Sequence, residues 1–165
     1  MQTLLLVRHA IAEERGSAWP DDTVRPLTQK GEVRMQQIAR RLKALGETAD
    51  VVITSPLKRA KDTALILMRE WSSSSDVETI DALAPGHTPA QTMAAVAEEA
   101  SGKSIALVGH EPDLGHFAAW LIGAKHPLQF KKGGVARIEL ESISRPREGQ
   151  LIWLATPRLL RRGKV

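Results

Sequence analysis

Two rhythms alternate along this chain, and each change of rhythm marks a new element. Thr3–Val7 is a compact apolar run, the pattern of a strand buried on both faces. The polar stretch from Ala12 to Pro26 follows, a loop long enough to carry function. Next, Met35, Ile38, Ala39, Leu42 and Leu45 recur on one stripe of a helix, with Thr28 placed to cap it and Gly46 to end it. Val51–Thr54 repeats the buried-strand pattern, and Ser55-Pro56 then reads as an N-cap with proline at the first helical position. The helix it opens carries Leu57, Ala60, Ala64, Leu67, Met68 and Trp71 on one face. Ser72–Ser75 is a polar break too short to link domains.

Val77–Ile80 fits a third strand, and Thr88-Pro89-Ala90-Gln91 matches a capping box that opens a helix to about Ala100. Ser104–Val108 reads as another buried strand and Leu114–Ile122 as a helix stopped by Gly123. Ala136, Ile138 and Leu140 alternate with Arg137, Glu139 and Glu141, which suits a half-exposed strand. Leu151–Leu154 can pair with it as a hairpin across Ser144–Gly149. Strand–helix units closed by two strands specify an α/β fold, a three-layer α/β/α sandwich with a mostly parallel sheet and an antiparallel edge. A single domain over residues 1–157 accounts for the pattern and leaves 158–165 as a basic C-terminal tail.

Composition changes this picture mainly by what it removes. A chain of 165 residues, 42% hydrophobic and 25% charged, is ordinary for a globular domain. No apolar run approaches the roughly 20 residues of a membrane helix, and the first residues lack a secretory signal. A cytoplasmic protein with no membrane partner is expected. The absence of cysteine excludes disulfides, thiolate zinc sites and cysteine nucleophiles. The net charge of +4 raises the question of nucleic acid, but the basic residues are spread out and the aromatics few. Their densest cluster, Arg158, Arg161, Arg162 and Lys164, reads as a solvated tail, and no nucleic-acid partner is expected.

The candidate chemistry sits at strand ends. Arg8-His9 follows the first strand, Arg59 lies in the first turn of the helix after Val51–Thr54, and His110 follows Ile105–Val108. In an open α/β sheet the carboxyl ends of the strands line the ligand crevice, so two arginines and two histidines can converge on one cationic pocket. Such a pocket suits a phosphoryl group. Guanidinium forks match its oxygens, and the helix after Ser55 adds free N–H groups at its start. One neutral imidazole can attack phosphorus while the other donates to the charged oxygens. Taken singly, each residue has a plainer reading, since a histidine after a strand is often structural and Arg59 alone is an ordinary helix residue. His87, His116 and His126 keep that plain reading, with the first two near the rim. Spacing alone leads as far as an anion-binding α/β enzyme.

At these residues the chain resembles the histidine phosphatase superfamily, also called phosphoglycerate mutase-like. Leu6-Val7-Arg8-His9-Ala10 looks like its opening signature, with Ala10 in place of the usual glycine. Thr54-Ser55-Pro56-Leu57-Lys58-Arg59-Ala60 resembles the second signature, and Val108-Gly109-His110-Glu111-Pro112 the third. The resemblance implies His9 as nucleophile through a phosphohistidine intermediate, with Arg8, Arg59 and His110 completing the phosphate pocket. It implies no metal and no organic cofactor. The small SixA-type branch, which acts on protein phosphohistidine, is most similar and implies a phosphohistidine-bearing phosphotransfer protein as partner. Through it Asp22 and Arg25 become candidate rim or substrate contacts, and Ser55 a candidate substrate contact.

One departure bears on the substrate. Many members carry a proton-donating glutamate after the third strand, where this chain has Ala82. Asp81 is adjacent, but one step along a strand points the other way. Rival expectations are a phosphatase of small phosphorylated metabolites and a non-catalytic phosphate-binding module. Gly102-Lys103-Ser104 precedes a strand instead of following one, so phosphate-loop chemistry is not expected. His110 and His116 lack the spacing of a helical zinc site.

Overall fold

The structure is a computed structural model that describes residues 1–72, 77–100, 102–143 and 147–162. Its centre is β1 (Gln2–Arg8), whose side chains alternate between two apolar cores. Leu4 and Leu6 enter one, Leu5 and Val7 the other, and all four are fully buried. That alternation explains the unbroken apolar run, because neither face of this strand meets water.

Helix α1 (Gln29–Ala44) packs on the Leu5 side with α2 (Lys58–Trp71). On the other side lie α3 (Pro89–Glu99) and α4 (Asp113–Leu121). Between the layers runs a six-stranded sheet in the order β3-β2-β4-β1-β5-β6. β2 (Val51–Thr54), β3 (Val77–Thr79) and β4 (Ser104–Gly109) run parallel with β1. β5 (Val135–Leu140) and β6 (Gln150–Ala155) form the antiparallel edge. This is the expected three-layer α/β fold. Among the described residues no helix is long and apolar enough to cross a membrane.

Several local expectations shift for physical reasons. Ser55 does not cap α2, which starts at Lys58 with Leu57 as a cap that makes no side-chain bond. The Ser55 N–H still donates to Val108 O at 3.0 Å, so sheet pairing runs through Ser55 and delays the helix. Leu45 leaves the apolar stripe and is 53% exposed, because it is the C-cap where the chain turns at Gly46 with φ of 74°. Asp81–Leu83 is a 3-10 turn, so the strand geometry used to orient Asp81 does not hold there. Asp81 is exposed all the same.

Residues 158–162, expected in a basic tail, continue a short helix, α5 (Pro157–Arg162). Leu160 is buried in the α1 core and anchors it, an apolar contact that the surrounding charge obscured. Lys164 of the expected tail lies outside the described residues, as do most of the Ser72–Ser75 break and residues 144–146 of the Ser144–Gly149 connection.

The loop after β1 is closed at its base. Ala12 bridges Leu27, and Thr28 N–H donates to Ile11 O at 2.9 Å. Gly31, in the first turn of α1, makes the approach feasible, since a Cβ there would collide with the Ile11 carbonyl.

Candidate active site

β2, β4 and β1 lie side by side, and the polar residues at their carboxyl ends meet. Arg8 ends β1, His9 follows it, His110 follows β4, and Arg59 stands in the first turn of α2. The His9 N–H donates to Gly109 O at 3.1 Å, which laces the two strand ends where both histidines emerge. Their ring centroids are 5.1 Å apart. Thr63 ties in the third element: its hydroxyl donates to Arg59 O at 2.7 Å and accepts the Ala10 N–H at 3.0 Å.

His9 is 6% exposed, and its Nδ1 lies 2.7 Å from Ala10 O. A carbonyl only accepts, so Nδ1 carries the proton and Nε2 keeps a lone pair. Burial pushes the ring down to about 3, aided by the nearby charges of Arg59, Arg8 and Lys132. His9 is therefore neutral at neutral pH, with a free nitrogen nucleophile. His110 is also driven down to about 3, by burial first and then by His9 and Arg59. Its Nε2 is 2.7 Å from Ser55 Oγ.

The arginines are held through their terminal nitrogens. Arg8 Nη1 donates to Phe130 O at 2.7 Å. Arg59 donates through Nη1 to Asp22 O at 2.9 Å and pairs through Nη2 with the Asp22 carboxylate at 3.0 Å. Arg8 Nε, Arg59 Nε and His110 Nδ1 are buried and have no hydrogen-bond partner among the described residues. Three polar nitrogens of one site left this way are costly unless an anion enters to accept from them. A tetrahedral oxyanion has the acceptors required.

Arg8, His9, Arg59 and His110 share an open cleft of about 590 Å³. Arg25 also lines it but is buried, and its guanidinium is committed to the Glu13 carbonyl and, at 2.8 Å, to the Asp22 carboxylate. Asp22 thus gathers Arg59, Arg25 and, at 3.3 Å, Arg15. Burial opposes its charge, but the Arg25 bond and these arginines outweigh it and hold the carboxyl below its ordinary value. Asp22 and Arg25, the candidate rim or substrate contacts, are paired with each other at the cleft wall. Ser55, the candidate substrate contact, is fully buried against His110 and does not itself line the cleft.

The sequence reading missed Lys132, Glu111, Glu13 and Glu14, which all line the cleft. Lys132 could have been found through topology. β5 runs antiparallel beside β1, with Val135 opposite Val7, so residues just before β5 arrive at the end of β1. Gly133 secures that loop with an N–H shared between the Arg8 and His9 carbonyls, both at 3.1 Å. Glu111 accepts from Phe130 N–H at 2.9 Å and so braces the carbonyl-bearing residue that holds Arg8. Ala82 lines a small separate cavity beside His110, and Asp81 lines neither space. His87 and His116 are satisfied by the carbonyls of Ala84 and Pro112, both at 3.0 Å, and neither lines the cleft.

A family model described as the histidine phosphatase superfamily (branch 1) matches residues 4–99. The chain belongs to that superfamily. The matched stretch contains Arg8, His9 and Arg59, and the sheet brings His110 to them from outside it. An uncharacterized protein from Picosynechococcus sp. is 34% identical over 163 residues, covering 95% of this chain and 98% of the relative. Among solved structures, the protein histidine phosphatase SixA complexed with tungstate is similar with a TM-score of 0.80 and 25% identity. That match covers 95% of this chain and 98% of the other. A phosphoserine phosphatase from Entamoeba histolytica shares the fold with a TM-score of 0.68 and 17% identity, covering 97% and 100% of the two chains.

Proposed function

We propose that this histidine phosphatase family member removes phosphate from phosphohistidine on a cytoplasmic phosphotransfer protein. The observation that carries the reading is His9: neutral, with Nε2 free, beside the unpartnered nitrogens of Arg8, Arg59 and His110. In the first step the Nε2 lone pair forms a bond to phosphorus while the P–N bond of the substrate breaks. The leaving imidazole keeps that electron pair and departs neutral when its other nitrogen carries a proton. In the second step water attacks phosphorus, the His9–phosphorus bond breaks, and inorganic phosphate forms. Arg8, Arg59 and His110 donate to the equatorial oxygens in both steps, where charge collects.

Two features support phosphohistidine over alkyl phosphates. An alkyl ester expels an alkoxide unless an acid protonates it, and the turn after β3 offers Ala82 with Asp81 outside the cleft. Transfer between two imidazoles needs no such acid. The likeness to SixA points the same way. A small-metabolite phosphatase is the second reading, favoured by Glu13 and Glu14 in the cleft wall, either of which could protonate a leaving oxygen.

The deciding experiment compares kcat/KM for a phosphohistidine protein, phosphoramidate, an aryl phosphate and sugar or glycerate phosphates. The proposal expects that order, from fastest to slowest. An alkyl phosphate turned over fastest, with loss of activity in Glu13→Gln or Glu14→Gln, would establish the second reading instead.

A further inference from the structure

Because the His110 ring is neutral, it carries one proton, and the nitrogen that holds it decides what the ring can do. A proton on Nδ1 makes that atom a donor; a proton on Nε2 leaves Nδ1 as a bare lone pair. The Ser55 hydroxyl, 2.7 Å from Nε2, is placed to decide between them.

We propose that Ser55 is a positioning residue: its hydroxyl donates to His110 Nε2, fixes the Nδ1–H tautomer, and so makes Nδ1 the atom that donates to the phosphoryl group. This rests on the phosphoryl-transfer reading of the cleft.

The argument is one of satisfaction. Ser55 is fully buried, and its Oγ already accepts the Leu57 N–H at 3.2 Å. Its own proton then needs an acceptor, and among the described residues the one within reach is His110 Nε2. The opposite arrangement, Nε2–H donating to Ser55, fails twice. It strands the serine proton in a buried site, and it leaves His110 Nδ1 as an unpartnered acceptor. Near a phosphoryl oxygen that second lone pair would repel where a donor would attract.

The sheet makes the contact dependable. Ser55 N–H bonds Val108 O at 3.0 Å, so the continuation of β2 is locked in register with β4 two residues before His110. The two histidines are then set in complementary ways. Ala10 O takes the His9 Nδ1 proton and frees Nε2 to attack, while Ser55 fills the His110 Nε2 lone pair and readies Nδ1 to donate. Only a side chain that both accepts from Leu57 and donates to the ring does this at position 55.

The test reads the tautomer directly. In full-length protein labelled with 15N-histidine, long-range 1H–15N spectra at neutral pH should show His110 protonated on Nδ1 with a pyridine-like Nε2. The Nδ1 proton signal should shift on titration with inorganic phosphate. Ser55→Ala should move His110 toward the Nε2–H form and lower kcat for phosphoramidate about tenfold or more, while Ser55→Thr, which keeps the hydroxyl, should retain the wild-type tautomer. A wild-type His110 protonated on Nε2 would overturn the proposal, and this measurement needs no variant. An unchanged tautomer in folded Ser55→Ala would overturn it too. If the wild-type tautomer is as stated but no substrate releases phosphate, the functional reading fails and the Ser55 assignment stands.

Discussion

The two ends of the cleft are built on different principles. At the inner end, Arg8, His9 and His110 are fixed by the register of adjacent strands, and their neighbours are backbone carbonyls or buried hydroxyls. At the outer end, residues 12–26 hold themselves together through ion pairs centred on Asp22. Strand ends set positions to a fraction of an ångström because the whole sheet backs them. A loop clamped by partly exposed charges is softer, since solvent and salt weaken such pairs. The two ends meet at Arg59, whose fork joins the Asp22 carbonyl and carboxylate to the inner site.

The largest effects should come from the inner end. His9→Ala should abolish both turnover and the acid-labile, alkali-stable phosphoryl label on the protein after a rapid quench. Arg8→Ala and Arg59→Ala should each lower kcat/KM by about a thousandfold, as expected when a charged fork is removed from a transition state. Near-normal turnover in His9→Ala would remove the proposed nucleophile. Prolonged chelation followed by desalting should leave the rate unchanged, because the cations of the site already neutralise the phosphoryl oxygens.

The contrast between the ends also explains what the sequence revealed. Arg8, His9, Arg59 and His110 were legible because apolar runs locate strands, and strand ends locate a crevice. Ser55 was misjudged because a Ser-Pro pair before a helix is a local capping signal, whereas its partner His110 is 55 residues away. Lys132 was missed because its place depends on β5 pairing beside β1, a contact that spans most of the chain. Asp22 and Arg25 were chosen for the right region, but which charges bond each other is settled by loop geometry that no periodicity encodes. At the C-terminus four cations hid the importance of Leu160.

Acidification should weaken the inner end before the outer one. His9 and His110 fall to about 3 in the folded protein, below the roughly 6.5 of an unfolded histidine. The unfolded chain therefore takes up protons that the folded state refuses, and stability is lost as pH falls from about 6.5 toward 3. Above that window the two groups contribute no slope. Each contributes at most ~1.4 kcal/mol per pH unit within it. The depressed Asp22 carboxyl adds a loss of the same sign only as pH falls below about 4. Denaturant midpoints measured between pH 7 and 4.5 should drop in the wild type and drop less steeply in His9→Gln and His110→Gln. Parallel curves for all three would mean that neither ring is held neutral by the fold.

Asp22→Asn tests the joint between the two ends. The Asp22 carbonyl still accepts from Arg59 Nη1, so the fork keeps one of its two anchors. Lost are the carboxylate contact to Nη2 and the charge that Arg25 and Arg15 share. We expect kcat to fall about tenfold, well short of Arg59→Ala, with a loss of stability of about 1 kcal/mol because the carboxylate is partly exposed. High salt should mimic part of the loss in the wild type and add little in Asp22→Asn. A rate equal to that of Arg59→Ala would show that the outer clamp alone sets the arginine.

The smallest effect is expected at Asp81, and its size bears on the substrate. The residue is exposed, stands in the turn Asp81–Leu83, and does not line the cleft. Asp81→Asn should change phosphohistidine turnover by less than about threefold, far below the hundredfold or more that general acids usually contribute. The same variant should leave the ranking of phosphoramidate, aryl and alkyl phosphates intact. That second measurement carries the weight, because a distant charge can alter one rate slightly through the field but cannot reorder leaving groups. An acid that protonates the leaving oxygen flattens the dependence of rate on leaving-group basicity, and removing it steepens that dependence selectively for poor leaving groups. If Asp81→Asn slowed alkyl phosphates a hundredfold and spared phosphoramidate, the turn would have to swing its carboxylate into the cleft during turnover. That turn, which belongs to neither end of the cleft, would then supply the acid of the metabolite reading in place of Glu13 or Glu14.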